Sequence, residues 1–188
     1  MNIIFVPGYL NSLAGHWQRF WFEEFVGSYW VEQEDWAYPD CNKWVSTLNK
    51  LVDSVSGPTM FITHSLGGST VAHWCQRYPE KAAMIKGAFM VAVPDVQRDD
   101  FPKVITGYST PPLTPLPFPC VMCASSNDPY CRIEQAHFFA KHWQAELIPV
   151  GALGHINTDV NIGDWPEGKA LFDVFNNMIQ VRDNNEKD

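Results

Sequence analysis

The chain has 188 residues, of which 46% are hydrophobic and 18% charged, and its formal net charge is -8 at pH 7. A chain of this length and composition is expected to fold as one globular domain around a buried core. Its acidic balance leaves no basic stripe to bind phosphates, which argues against nucleic acid and against an anionic membrane surface as partners.

Short apolar runs and helical patterns alternate along the chain. Several of the six strand-length runs are apolar throughout, as in parallel strands covered on both faces; the runs are 2–6, 30–33, 59–63, 87–93, 120–125 and 146–150. Apolar residues at helical spacing form three stripes: Trp17, Phe20, Trp21 and Phe25; Trp44, Val45, Leu48, Leu51, Val52 and Val55; and Ala170, Leu171, Val174, Phe175 and Met178. Residues 67–78 and 131–143 also fit helices.

This alternation predicts an α/β fold. The expected architecture is a doubly wound sheet of about six mostly parallel strands, with helices on both faces. We assign it to a single domain over residues 1–181, followed by a polar C-terminal tail at 182–188.

Residues 94–119 interrupt the alternation. They hold seven of the 14 prolines of the chain, and proline supplies no hydrogen bond to a strand ladder or to a helix interior. Long structureless segments are uncommon inside compact domains unless they are functional. We therefore expect a small lid or a pocket wall here rather than a plain connection.

The cysteines and the N-terminal residues indicate a cytoplasmic protein. The start "MNIIFVPG" lacks the basic and long apolar regions of a signal peptide, and no run approaches the roughly 18 apolar residues of a membrane span. Five scattered cysteines are typical of reduced thiols. Cys120 and Cys123 lie three apart in a predicted strand and should face opposite ways, so we expect no metal between them.

The motif "THSLGG" at 63–68 follows an apolar strand and precedes a helical segment. A nucleophile elbow has this context, with its serine on a tight turn and small residues two positions away on each side. Gly67 meets that requirement and Gly68 helps, whereas Thr63 stands where the pattern has its first glycine. The alternative is that Ser65 only caps the helix, since serine is a preferred N-cap residue.

An elbow serine needs an acid and a histidine, which follow it in that order along the chain. Asp128 follows the fifth predicted strand and His155 the sixth, so both belong to loops at the carboxyl edge of the sheet, where such folds have their sites. An aspartate before a proline is also a common turn, and Asp95, after the fourth strand, is a competing acid. His64 directly precedes the serine, so its side chain should diverge from it.

The oxyanion hole of such a site uses two backbone N–H groups. One belongs to the residue after the nucleophile, Leu66, and the other to the loop after an early strand, where Tyr9 is the candidate. Gly8 would let the backbone turn that amide inward, although a glycine after a first strand is common in α/β folds.

The sequence also resembles the small serine hydrolases of the α/β-hydrolase superfamily that are related to human retinoblastoma-binding protein nine and its bacterial relatives. The similar stretches cover nearly the whole chain except the tail: "VPGYLNSLAGHWQRFW", "QEDWAYPDCNKWVSTL", "THSLGG", "PLTPLPFPCVMCASSNDPY" and "GHINTDVNIGDWPEG". The resemblance implies a reduced α/β-hydrolase fold and a catalytic triad of Ser65, Asp128 and His155. It also implies that His16 and Trp17 help to shape the site; from the residues alone they are a helix start and a core aromatic.

These observations predict a serine hydrolase that needs no cofactor and acts on a small-molecule acyl substrate. With 94–119 as the only cap, and with Tyr9, Trp36 and Trp165 expected near the pocket mouth, small or partly exposed apolar acyl groups fit best. Carboxylic esters, thioesters and peptides would all use the same triad. From another class, the alternative is a protein-interaction module with a protein partner on the same scaffold.

Overall fold

The computed structural model describes residues 1–185 and has a six-stranded sheet at its centre. The strands are β1 Asn2–Val6, β2 Ser28–Trp30, β3 Thr59–His64, β4 Gly87–Val91, β5 Cys120–Ala124 and β6 Glu146–Pro149. Their order across the sheet is β2-β1-β3-β4-β5-β6, and every pairing is parallel. The predicted parallel α/β sheet is therefore confirmed.

Helices cover both faces of this sheet. They are α1 Trp17–Glu24, α2 Cys41–Ser54, α3 Leu66–Arg77, the short α4 Pro79–Ala82, α5 Ile133–Trp143 and α6 Pro166–Asn185. One core contains Trp44 of α2, Trp74 of α3 and Phe139 of α5. The other contains Trp21 of α1 and Phe172 of α6. Since successive strand residues alternate between faces, Phe61 of β3 joins the first core and Ile62 the second.

The sequence patterns misplaced two features. The second strand was expected at 30–33, but Ser28, Tyr29 and Trp30 pair with β1 instead. In α6, Val174 is 70% exposed and Met178 44% exposed. The buried side of that helix is formed by Gly168, Phe172, Phe175 and Ile179. This face of the helix is the buried one because its two phenylalanines pack on Phe89 of β4.

The final helix continues into the segment predicted as a tail. It ends at Asn185, so 182–185 are helical, and 186–188 lie outside the described residues.

The proline-rich segment at 94–119 contains no helix or strand of its own and packs across α2, α3 and α5. The Tyr108 hydroxyl lies 2.8 Å from Thr70 Oγ1 in α3, and the Trp143 indole of α5 donates to the Pro112 carbonyl at 2.7 Å. Thr106 donates its amide to Pro39, just before α2, at 2.9 Å. These contacts hold the segment against the helices on one face of the sheet.

Candidate active site

Ser65 occupies the turn between β3 and α3 in a strained conformation. Its backbone has φ 53° and ψ -127°, values that a residue with a side chain rarely adopts. Its amide donates to the Val91 carbonyl at 2.9 Å, and its side chain makes no capping bond to the helix. The strain and the absence of a capping bond match a nucleophile elbow, so the simple capping alternative does not hold.

Two glycines allow the elbow to approach β1 closely. A Cβ atom at Gly67 would lie 2.1 Å from the Val6 carbonyl oxygen, and one at Gly8 would lie 2.7 Å from Ser65 Cβ. Both distances are shorter than any real Cβ contact. The backbone of the first loop and the start of α3 therefore meet directly at the serine.

Thr63 fits at the elbow because residue 68 is also a glycine. A Cβ at Gly68 would lie 3.2 Å from Thr63 Oγ1 and 2.6 Å from Val93 Cγ2. The threonine side chain thus takes space that a larger residue 68 would need. Its Oγ1 is buried without a hydrogen-bond partner among the described residues.

Ser65, His155 and Asp128 form a continuous hydrogen-bonded chain. His155 Nε2 lies 2.8 Å from Ser65 Oγ, and His155 Nδ1 lies 3.0 Å from each carboxylate oxygen of Asp128. A carboxylate only accepts, so Nδ1 carries the imidazole proton and Nε2 is free to accept the serine proton. The side chains of His155 and Asp128 are 9% and 2% exposed.

The loops that carry the acid and the histidine are joined by polar contacts that the sequence analysis missed. Asn127 Oδ1 accepts from the Ser125 hydroxyl at 2.8 Å and from the Gly154 amide at 2.7 Å. Ser125 Oγ accepts from the Leu153 amide at 2.8 Å. Short polar residues before an acid carry no separate signal in a sequence, because their partners lie on another loop.

Asp128 is further oriented by its own turn, where its Oδ1 accepts from the Tyr130 amide at 2.8 Å. The ring of Tyr130 packs against that of His155 with 4.6 Å between centroids. The competing acid, Asp95, instead accepts from the Gln97 amide in a local turn at 3.0 Å and makes no bond to the histidine.

The candidate oxyanion donors lie beside the nucleophile. Leu66 begins α3, and its amide has no hydrogen-bond acceptor among the described residues; the same is true of the Tyr9 amide. A Cβ at Gly8 would lie 3.2 Å from the Leu66 nitrogen, so the two loops are adjacent at this point. Tyr9 and Leu66 both line the cavity at Ser65. Two free N–H groups beside a nucleophile can bind a developing oxyanion.

That cavity has a volume of about 590 Å³ and is largely apolar. The first loop contributes Leu10, Leu13, Ala14 and His16 to its wall. The proline-rich segment at 94–119 contributes Pro94, Arg98, Asp100, Phe101, Pro102 and Ile105. Leu10 and Leu13 are 54% and 65% exposed, so the cavity is open to solvent on this side.

Three of the four predicted pocket residues do not line this cavity. Of the four, only His16 does. Trp17 is fully buried between α1 and the sheet. Trp165 is buried in the same core, where it stacks on Trp21 with 6.1 Å between ring centroids and packs edge-on against Trp17 at 5.4 Å. Trp36 packs edge-on against Trp44. The prediction that these three tryptophans line the pocket was wrong, because Trp17 and Trp165 are buried in the core and Trp36 packs on Trp44 instead.

His16 is a buried neutral histidine at the start of α1. Its Nδ1 caps the helix by accepting from the Gln18 amide at 3.1 Å. Burial, together with the smaller effects of the His155 and Arg19 charges, lowers the pKa of His16 to about 4. His16 therefore remains neutral where an ordinary histidine titrates.

This pKa makes stability depend on pH. The unfolded chain binds a proton at His16 near pH 6.5 and the folded chain only near pH 4, so stability is lost as pH falls through that window. The expected loss is about 3 kcal/mol. His16→Asn keeps a neutral capping oxygen but cannot titrate, so its unfolding free energy should fall less steeply over the same window. Urea denaturation at several pH values measures this, and parallel curves for the two proteins would refute it.

No metal-binding group was found in the described part of the chain. Among residues 1–185, no three His, Cys, Asp or Glu side chains are placed to hold an ion. Cys120 and Cys123 belong to opposite cores, and burial raises the pKa of both thiols well above the usual range. No helix in that part of the chain is long and apolar enough to cross a membrane.

The sequence matches a known protein family over most of its length. A family model described as serine hydrolase matches residues 3–174. No curated protein sequence matches the chain significantly.

Solved structures share the fold over almost the whole chain. A YdeN-like protein from Pectobacterium atrosepticum is 29% identical, with a TM-score of 0.82 over 95% of this chain and 91% of its own. The ydeN gene product of B. subtilis is 16% identical, with a TM-score of 0.73 over 94% and 97%. The carboxylesterase CesB from Bacillus subtilis is 15% identical, with a TM-score of 0.62 over 91% and 82%. The last two likenesses show the fold alone.

Proposed function

We propose, since this chain belongs to the serine hydrolase family, that it hydrolyses small carboxylic esters through Ser65, His155 and Asp128. The observation that carries this proposal is the chain of hydrogen bonds from Ser65 Oγ through the imidazole to the carboxylate, at 2.8 and 3.0 Å. These distances are within the range for proton transfer from a nucleophile to its base.

The proposed reaction has two steps. In the first, His155 Nε2 takes the Ser65 proton as Oγ attacks the ester carbonyl; it then returns that proton to the departing alcohol, which leaves an acyl-enzyme. In the second, His155 takes a proton from the water that attacks the acyl-enzyme carbonyl. It then gives that proton to Ser65 Oγ as the acyl–Oγ bond breaks, which releases the acid and restores the free serine. Asp128 holds the imidazole in the Nδ1–H form and stabilises the imidazolium.

The amides of Leu66 and Tyr9 are proposed to bind the oxyanion that forms in both steps. Each is free of other hydrogen bonds in the described structure and lies at the cavity beside Ser65. Because they belong to the backbone at the start of α3 and in the first loop, their positions are set before the substrate binds.

The cavity supports a small or partly exposed apolar acyl group. Its volume of about 590 Å³ lies within the usual range for small-molecule sites. Apolar side chains of the 94–119 segment, Phe101 and Ile105, form one wall. A long acyl chain would extend past Leu10 and Leu13 into solvent, where burial adds no binding energy.

A series of p-nitrophenyl esters tests this proposal. We expect kcat/KM to rise with acyl length while the cavity fills and to stop rising by about C8. A steady rise beyond that length would contradict the small-acyl assignment, and no hydrolysis of any ester would contradict the esterase assignment. The matched thioester and anilide of the best acyl group would show whether the same site prefers another linkage.

We propose that the protein acts in the cytoplasm. All five cysteines are free and buried, which is compatible with a reducing environment. The proposed partner is the acyl substrate itself. The proposed reaction uses water, the three side chains of the triad and the two backbone amides.

A further inference from the structure

His64 is a buried polar residue that the proposed mechanism leaves without a role. It is the last residue of β3, directly before the nucleophile, and is 5% exposed. Its ring lies on the α1 side of the sheet, 4.6 Å from the ring of His16 and 4.9 Å from that of His155 between centroids. It therefore lies between the first loop and the loop of the proposed base.

The His64 ring makes one defined hydrogen bond, to the main chain of the proposed base. Its Nε2 lies 2.9 Å from the His155 carbonyl oxygen. A carbonyl oxygen only accepts, so Nε2 carries a proton and donates it. Burial, with the neighbouring His16 and His155, holds the pKa of His64 well below its usual value, so the ring is neutral and its single proton is on Nε2.

The acceptor belongs to a strained loop. Gly154 has φ 51° and Ile156 has φ 50°. Positive φ is a genuine outlier for a β-branched residue and persists only where the surrounding structure enforces it. The Trp17 indole donates to the Ile156 carbonyl at 2.9 Å. Two buried side chains thus hold two successive carbonyls, at 155 and 156.

We infer that His64 is a positioning residue for the general base. Its ring ties the loop of His155 to the strand that ends at Ser65, so that the imidazole of His155 is held at hydrogen-bond distance from the serine hydroxyl. Trp17 supports the same loop from α1. This inference rests on the proposed function, because it concerns the geometry of that reaction.

Three variants test this role by kinetics. His64→Phe keeps an aromatic ring but removes the donor, and His64→Gln restores an N–H at a similar reach. His73→Phe, which replaces a partly buried histidine packed on Tyr108 away from the triad, is the matched control. We expect His64→Phe to lower kcat about tenfold to a hundredfold with little change in KM, because misplacing a reacting group costs rate rather than binding. His64→Gln should recover most of kcat, and the control should leave it unchanged.

The outcomes separate the possible failures. A purely structural His64 would lower the folded fraction but not kcat per folded molecule, so an unchanged kcat in His64→Phe overturns the inference. The same holds if His64→Gln is no better than His64→Phe at equal folded fraction. If the wild type hydrolyses no acyl substrate, the proposed function fails instead.

Nitrogen NMR of the wild type, labelled with ¹⁵N-histidine, decides the question if the phenylalanine variant does not fold. We expect one histidine to be a neutral Nε2–H tautomer with a slowly exchanging proton, assigned to His64 by its loss in His64→Gln. An Nδ1–H tautomer for that residue, or rapid exchange of its ring proton, would overturn the inference.

Discussion

Ser65→Ala should lower kcat for ester hydrolysis by about 10⁵-fold or more, because a serine nucleophile and its histidine act as one unit whose loss leaves only binding and oxyanion stabilisation. The substitution removes the only atom of residue 65 that lies at hydrogen-bond distance, 2.8 Å, from His155 Nε2. Steady-state kinetics on the best p-nitrophenyl ester would measure the loss. Reaction with a fluorophosphonate probe, followed by mass spectrometry, would locate the label on Ser65 in the wild type.

The control for this prediction is Ser69→Ala, four residues further along α3. It removes a hydroxyl from the same helix but not from the triad, so its kcat and labelling should stay close to wild type. Ser65→Ala should remain folded, since one lost hydrogen bond costs about 1 kcal/mol. Equal labelling of the wild type and Ser65→Ala would remove the serine from the mechanism and favour an interaction role for this scaffold.

Gly67→Ala should destabilise the whole domain. The added Cβ would lie 2.1 Å from the Val6 carbonyl oxygen and 2.8 Å from that of Pro7. Both atoms belong to the backbone, so no side chain can rotate away and α3 must move off β1. Overpacking of a core typically costs up to about 3 kcal/mol, and a contact with fixed backbone belongs at or above that value. For a domain of this size, the melting temperature should fall by roughly 10 °C.

Activity should fall together with stability in Gly67→Ala. The start of α3 carries both Ser65 and the Leu66 amide, so displacing the helix separates the nucleophile from His155 and from the proposed oxyanion donor. Thermal and urea unfolding would measure the stability, and kinetics below the transition would measure the activity of the folded fraction. Ser69→Ala again provides the control, since it adds no atom to the helix. A Gly67→Ala protein as stable as this control would contradict the close approach at the elbow.

The two predictions differ in how they depend on the sequence. The importance of Ser65 follows from the motif, because a strand, a serine, two glycines and a helix are contiguous in the chain. The large destabilisation expected for Gly67→Ala follows from the close approach of β1, which is distant in the chain. The Val6 carbonyl oxygen of that strand is the atom that an added Cβ would contact. The departure at Thr63 has a different reason: the threonine hydroxyl lies where a side chain at residue 68 would be, and residue 68 is a glycine.

The sequence by itself determined the sheet and the order of the three triad candidates. Continuous apolar runs predict buried parallel strands, and parallel strands place their following loops at one edge. Asp128 and His155 were therefore predicted from their positions after β5 and β6 and from the chain order of acid and histidine, with Asp95 as a competing acid. The sheet prediction is confirmed because it depends on local patterns and on a topological rule.

Only the tertiary structure decided which side chains surround the candidate triad. Trp17, Trp36 and Trp165 were expected at the pocket and are packed elsewhere, whereas Arg98 and Phe101 line it. The contacts of Ser125, Asn127 and His64 with the 153–155 loop join residues that are 27 to 91 positions apart. Such contacts form only when loops that are distant in the chain come together in the folded protein, so local patterns of residues do not predict them.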